Sequence, residues 1–203
     1  MGFSEFVEGI KSVVAYVING LSVIANGIKS IVNVIADVAV KLGLMDSNVN
    51  MDELGAKALI AQEDGIEVGE GDIESYDEAY KIVNSMELDT TRAEKYSPDD
   101  RYHAAAELVT GLLVQKHPGI ENILSLLNKN GSLNESLTSD RIAQYAKLGL
   151  SFEDVASYWK GELVNNQKIS EIESGMQKAE KNIAPDLSDK EISEITNSQF
   201  GSV

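Results

Sequence analysis

Apolar and polar positions divide this chain into two unlike parts. From Phe3 to Met45 it reads FSEFVEGIKSVVAYVINGLSVIANGIKSIVNVIADVAVKLGLM, without a proline. Small or polar residues recur at Glu5, Glu8, Ser12, Ala15, Asn19, Ser22, Asn26, Lys29, Asn33 and Ala36, with Val, Ile and Leu filling most positions between them. The spacing is that of a helix, close to a heptad. The proportions are inverted: a surface helix carries an apolar stripe on a polar cylinder, whereas here a narrow polar stripe runs down an apolar one. The tetrapeptide GIKS occurs at Gly9–Ser12 and again at Gly27–Ser30, a local echo too short to define a solenoid. The pattern predicts one long apolar helix, roughly 60 Å if continuous at about 1.5 Å per residue. A break at Asn19-Gly20 or Asn26-Gly27 would make it a helical hairpin. Those dipeptides, with the Val and Ile content, also suit a small β-meander, which lacks the support of any period-2 alternation.

Beyond residue 46 the chain is punctuated as a series of shorter helices. Asn50, with Glu53 three residues on, opens one through Asp64. Glu74–Leu88 is a second. Ser97-Pro98-Asp99-Asp100 joins a cap, a first-turn proline and two acids, and starts a helix to Lys116 that His117-Pro118-Gly119 ends. Ile120–Leu127 follows, stopped by Asn130-Gly131. Thr138 caps Ser139–Leu148, and Ser151 with Asp154 opens a long helical stretch from Phe152 towards Asn182. Pro185 ends it; Ser188 with Glu191 forms a capping box for a last helix. No strand or crossover unit stands out, so the expected fold class is all-α: an apolar N-terminal helix or helical hairpin, residues 1–46, and an acidic multi-helix domain, residues 47–203.

Charge sharpens this division. Of the net −16, residues 1–46 carry −1 and residues 47–203 carry −15, with −10 concentrated in residues 47–89. Such acidity argues against nucleic-acid binding, which requires neutralised phosphates, and against adhesion to anionic lipid by charge alone. Cysteine is absent, which removes disulfides, a thiolate nucleophile and sulfur-ligated zinc. A signal peptide is not expected, because Glu5 and Glu8 stand where a basic region belongs and no small-residue cleavage site closes the apolar run.

Candidate chemistry is sparse. His103 and Glu107 lie one turn apart on the helix after Pro98, a spacing that can exchange protons or share a metal but is more often a plain ion-pair neighbour. His117 sits beyond that helix's C-terminal end, where a cation meets the dipole. The acidic loop Glu63–Asp72 fails the calcium-loop register, since aligning Gly71 with the required glycine puts Ile66 and Val68 at ligand positions. Phosphate loops, nucleotide-binding glycine signatures and nucleophile elbows are all missing. Tyr76, Tyr80, Tyr158 and Trp159 are expected to be packing anchors. Neither a cofactor nor a metal nor a catalytic residue is expected.

In style, the segment over residues 5–43, with Gly, Ala, Ser and Asn interleaved among Val and Ile, resembles those of bacteriophage tail, tape-measure and ejection proteins and of pore-forming bacteriocins. The resemblance implies a virion or injection-machine component that assembles in several copies and meets the host envelope, residing in the virion or in the cytoplasm before assembly. No functional residue is carried over from it.

Three fates are open to the segment. It can be buried between copies or against other assembly proteins, inserted into a membrane, or wrapped by the rest of its own chain as core. The first makes this a non-enzymatic assembly protein and a homo-oligomer; the second makes it pore-forming; the third makes it a monomeric helical adaptor. The uncharged run Val13–Ile28 is short of the ~20 residues a span needs. For the first two fates, the residues expected at the interface are Val13, Val17, Asn19, Leu21, Val23, Asn26, Ile28, Ile31, Asn33 and Ile35.

Overall fold

A computed structural model describes residues 2–18, 27–66, 73 and 75–200, excepting the side chains of Gln199 and Phe200. The chain is all-α. Among the described residues the elements are α1 (Phe3–Ile18), α2 (Gly27–Lys41), α3 (Met51–Glu63), α4 (Tyr76–Ser85), α5 (Thr90–Ala93), α6 (Pro98–Lys116), α7 (Ile120–Leu124), β1 (Asn128–Lys129), β2 (Ser132–Leu133), α8 (Ser139–Lys147), α9 (Phe152–Trp159), α10 (Asn166–Ile183) and α11 (Asp189–Phe200).

Among the described residues, the helices of the N-terminal segment are α1 and α2, and the inverted pattern has a simple cause. On α2, Ile28, Ile31, Val32, Ile35, Ala36, Val38 and Ala39 are buried. At 3.6 residues per turn they sweep roughly 160° of the circumference. Lys29, Asn33 and Asp37 form the exposed side, as Glu5, Glu8 and Ser12 do on α1. The narrow polar stripe is thus the solvent face of helices covered on most of their other sides. Val7, Ile10, Val14, Val17 and Ile18 bury the inner face of α1. Whether Asn19-Gly20 and Asn26 form turns lies outside the described residues.

The hub is α6. Its mid-section, Ala104–Ala106 and Leu108–Val114, is buried, interrupted only by the half-buried Glu107, because α1, α2, α3, α4 and α7 all pack against it. Its start is built as its sequence foretells, with a reciprocal capping box between Ser97 and Asp100 and Pro98 in the first turn. Two glycines set how closely neighbours approach. A Cβ on Gly55 of α3 would lie 1.7 Å from the Arg101 carbonyl oxygen, and one on Gly111 would lie 2.2 Å from the Tyr76 ring. That ring in turn meets Phe3 and Phe6 edge-on, with centroids 6.3 and 6.1 Å away, which seats the first turn of α1. One hydrophobic cluster runs from Val7 of α1 to Ala179 of α10, crossing residue 46.

Two sequence expectations need correction. The stretch from Phe152 towards Asn182 is two helices: α9 stops at Trp159, Gly161 takes a left-handed φ of 70°, and Asn165 caps a new start by accepting from the Gln167 and Lys168 amides. Asn130-Gly131, read as a helix stop, is also the turn of a two-stranded antiparallel hairpin. Both residues have positive φ, 53° and 82°, as a primed turn requires.

This hairpin serves α1. Asn128 accepts the Gly131 amide and donates from Nδ2 to the Val17 carbonyl at 3.0 Å, meeting an acceptor at the end of α1. Asn128→Ala is expected to cost about 1–2 kcal/mol, read as a lower urea midpoint at unchanged slope.

Helix α10 docks on α8 and α9, and α11 packs against α10. The clamp is Arg141, which reaches Glu180 at 2.5 Å through Nε and the Ser136 carbonyl at 2.6 Å through Nη1. Tyr158 adds a hydroxyl donation to Glu173 at 2.6 Å.

Candidate functional site

Of the residues expected at an interface, Val17, Ile28, Ile31 and Ile35 are buried in this chain's own core, and Val13 is partly buried against it. Asn33 is exposed, on the polar side of α2. Asn19, Leu21, Val23 and Asn26 lie outside the described residues. The large exposed apolar side chains among the described residues are Tyr16 on α1, Val164 in the loop before α10 and Ile183 at the end of α10. No helix among the described residues is long and apolar enough to cross a membrane.

Among the described residues, a chemically varied cleft of about 340 Å³ lies between α3 and α6. Asp100, His103, Ala104 and Glu107 recur on α6 at helical spacing and share one face. Leu59 and Gln62 of α3 form the opposite wall, and Tyr96, on the turn before α6, closes one end. The wall is held by Arg92, which bonds to Glu63 at 2.7 Å and Asp64 at 2.9 Å, while the Tyr96 hydroxyl donates to Glu63. Those bonds keep both carboxyls below their ordinary values, the Tyr96 contact being the largest influence on Glu63 and the Arg92 contact on Asp64. The Tyr96 phenol is pushed up to about 12, chiefly by its bond to the Glu63 carboxylate.

Glu107 differs from these exposed acids. It is half-buried, and among the described residues no donor is within hydrogen-bonding distance of its carboxylate. Burial raises its pKa above the ordinary carboxylate value; Lys11 and His103 pull it down, and Glu8 pushes it up. Tyr76 is buried, its hydroxyl has no hydrogen-bond partner among the described residues, and it lies in the fields of Glu107 and Glu8. The cleft therefore holds a half-buried carboxyl whose pKa burial shifts upward. Its lining offers no serine, threonine or cysteine as nucleophile. Among the described residues no group of three or more His, Asp or Glu is placed to hold a metal ion.

Two other concavities are shallower in chemistry. One of about 480 Å³ is lined by Asp46, Asn48, Asn50, Glu53, Lys57 and Asn84, but the Asn50 side-chain oxygen Oδ1 there accepts from the Asp52 and Glu53 amides as the cap of α3. The other, about 510 Å³, lies beside α10 and is lined by Leu148, Leu150, Gln167, Glu171 and Lys178.

The spacing of His103 and Glu107 was legible in sequence. The contribution of Leu59, Gln62 and Tyr96 was not, because it depends on which face of α3 meets α6. Comparison with known protein families, characterised proteins and solved structures gives no match.

Proposed function

We propose that this chain is a non-catalytic helical interaction module, an adaptor whose apolar N-terminal segment is its own core and whose acidic exterior meets its partners. The observation behind this reading is the burial of Val17, Ile28, Ile31 and Ile35 within the chain itself. A segment destined for a neighbouring copy or a bilayer keeps its wide apolar face for that contact. Here α6 and α8 cover that face of α2. The assembly and membrane readings both require α1 or α2 to leave the core, at the cost of exposing every face they cover. With a net charge of −16, the exterior favours partners with basic surfaces, through faster encounter more than through affinity.

Light scattering of the full-length chain, alone and with dye-loaded liposomes, tests the reading. A monomer that leaves the vesicles intact is expected. A stable oligomer at micromolar concentration, or dye release by the folded protein, overturns it in favour of assembly or of membrane insertion respectively.

A further inference from the structure

Asn130-Gly131, at the tip of the β1–β2 hairpin, is the dipeptide in which asparagine loses its side-chain amide most readily, because glycine puts no side chain in the way of its own nitrogen. We infer that this pair is a site of spontaneous deamidation, that Asn128 and the closed turn hold the reaction back, and that the isoaspartyl product unfastens the end of α1.

The reaction needs only water. The Gly131 nitrogen attacks Cγ of Asn130 and closes a cyclic succinimide. The side-chain nitrogen leaves as ammonia, which carries off the proton that the Gly131 nitrogen loses. Water then opens the ring at either carbonyl. One opening leaves an aspartyl residue; the other leaves an isoaspartyl residue, whose main chain runs through the former side chain and is longer by a methylene. Asn130 is exposed, so water reaches it.

Two features of the fold oppose ring closure. The Gly131 N–H donates to Asn128 Oδ1 at 3.0 Å, which engages the proton that must be lost. The turn fixes the rest of the geometry. Lys129 pairs with Ser132 and Asn128 with Leu133, while Asn130 and Gly131 take φ values of 53° and 82°, the arrangement of a two-residue primed turn. To bring the Gly131 nitrogen against Cγ, the peptide between the two residues must rotate. That rotation breaks the Gly131–Asn128 bond and the Lys129–Ser132 pairing together.

Asn128 ties the turn to α1. Its Oδ1 accepts from Gly131 while its Nδ2 donates to the Val17 carbonyl at 3.0 Å, so one side chain joins the tip of the hairpin to the end of the helix. Aspartate, like asparagine, tolerates a positive φ, so the aspartyl product keeps the hairpin. The isoaspartyl product does not, because a two-residue turn has no place for an extra main-chain atom and sets the register of both strands. Gly131 then parts from Asn128, and the Val17 carbonyl loses this donor at a helix end. β2 also packs on α2, so the change reaches both N-terminal helices.

The test is incubation of the full-length chain at mildly alkaline pH, followed by peptide mapping that resolves Asn130 from Asn19 and Asn26, which also precede glycine. Conversion at Asn130 is expected to be severalfold slower in the native protein than in the same chain unfolded in urea, a comparison that needs no variant. Asn128→Ala should raise the native rate severalfold. Asn165→Ala, which removes the cap of α10 instead, should leave it unchanged, and this separates protection by the turn from overall stability. Wild-type protein whose isoaspartate maps to position 130, recognised by isoaspartate-directed enzymatic methylation, should exchange its amides over residues 14–18 severalfold faster than the unmodified chain. Asn130→Asp should exchange them as the unmodified chain does. A native rate equal to that in urea, an Asn128→Ala rate no higher than wild type or matched by Asn165→Ala, or an isoaspartyl form with unchanged α1 protection would each overturn the inference. So would an Asn130→Asp chain that loosens α1 as much as the isoaspartyl form.

Discussion

Removing residues 1–46 is expected to abolish the fold rather than release a soluble acidic domain. The deletion takes away Val7, Ile10, Val14, Val17 and Ile18 of α1 and Ile28, Ile31, Val32, Ile35 and Val38 of α2, all buried. Each such side chain stabilises by about 1.5–3 kcal/mol when fully buried, while a whole domain is stable by only about 5–15 kcal/mol. The loss is also two-sided. Val109, Leu112 and Leu113 of α6 and Ile142 of α8 are 0–1% exposed, and they belong to the same cluster as α1 and α2. A truncated chain would turn such surfaces to water. Circular dichroism of residues 47–203 should show residual helix without a cooperative melting transition, and light scattering should show aggregation. Ile31→Asp in the full-length chain, which places a charge at a position 0% exposed, should approach the same result without changing the length. A monomeric, cooperatively melting 47–203 fragment would mean that the segment is an appendage, and it would return the assembly and membrane readings to first place.

Much of the helical framework could be read from local signals, because caps are local. Asn50, Ser97, Thr138 and Ser151 each accept from the backbone amides of the helix they precede. Ser188 and Glu191 bond reciprocally, as a capping box does. The same signal was present at Asn165, but apolar positions keep helical spacing on either side of it, Val155 and Trp159 before and Ile169 and Ile172 after, and this hid the break. The four-residue α5, capped by Asp89, is too short to carry a period. The stripe in residues 3–45 showed that a wide apolar face is covered. Periodicity alone does not say by what: a neighbouring copy, a bilayer and α6 leave the same imprint on α2. Half of the cleft was likewise legible, because His103 and Glu107 lie on one helix. The half-buried state of Glu107 was not, because it depends on which elements distant in the chain pack around that part of α6.

The close approach of α3 and α6 makes Gly55→Ala the point substitution expected to cost most for its size. In an exposed helix this exchange is favourable, since glycine is about 0.8–1.0 kcal/mol worse than alanine there. Gly9 supplies that reference: nothing lies within 4 Å of a Cβ added to it, so Gly9→Ala should stabilise by up to about 1 kcal/mol. At Gly55 the added carbon would stand 1.7 Å from the Arg101 carbonyl oxygen, 2.5 Å from its carbonyl carbon and 3.0 Å from its Cα. These are backbone atoms in the first turn of a helix, so no side-chain rotation relieves the overlap. The two helices must instead separate by roughly 1.5–2 Å to restore ordinary contact. Separation would open the contacts of Leu54, Ala58, Ala104, Ala105 and Leu108, all buried, and strain the Arg101–Asp52 ion pair at 3.0 Å. Overpacking within a core costs about 1–3 kcal/mol where side chains can adjust. Here they cannot, so Gly55→Ala should lose about 3 kcal/mol or more, measured by urea denaturation against Gly9→Ala. Because α3 also forms one wall of the cleft, the variant should shift the His103 and Glu107 resonances well before the unfolding midpoint. A neutral Gly55→Ala would show that α3 rides further from α6 than the Arg101 contact implies, and the cleft between them would have to be wider by the same amount.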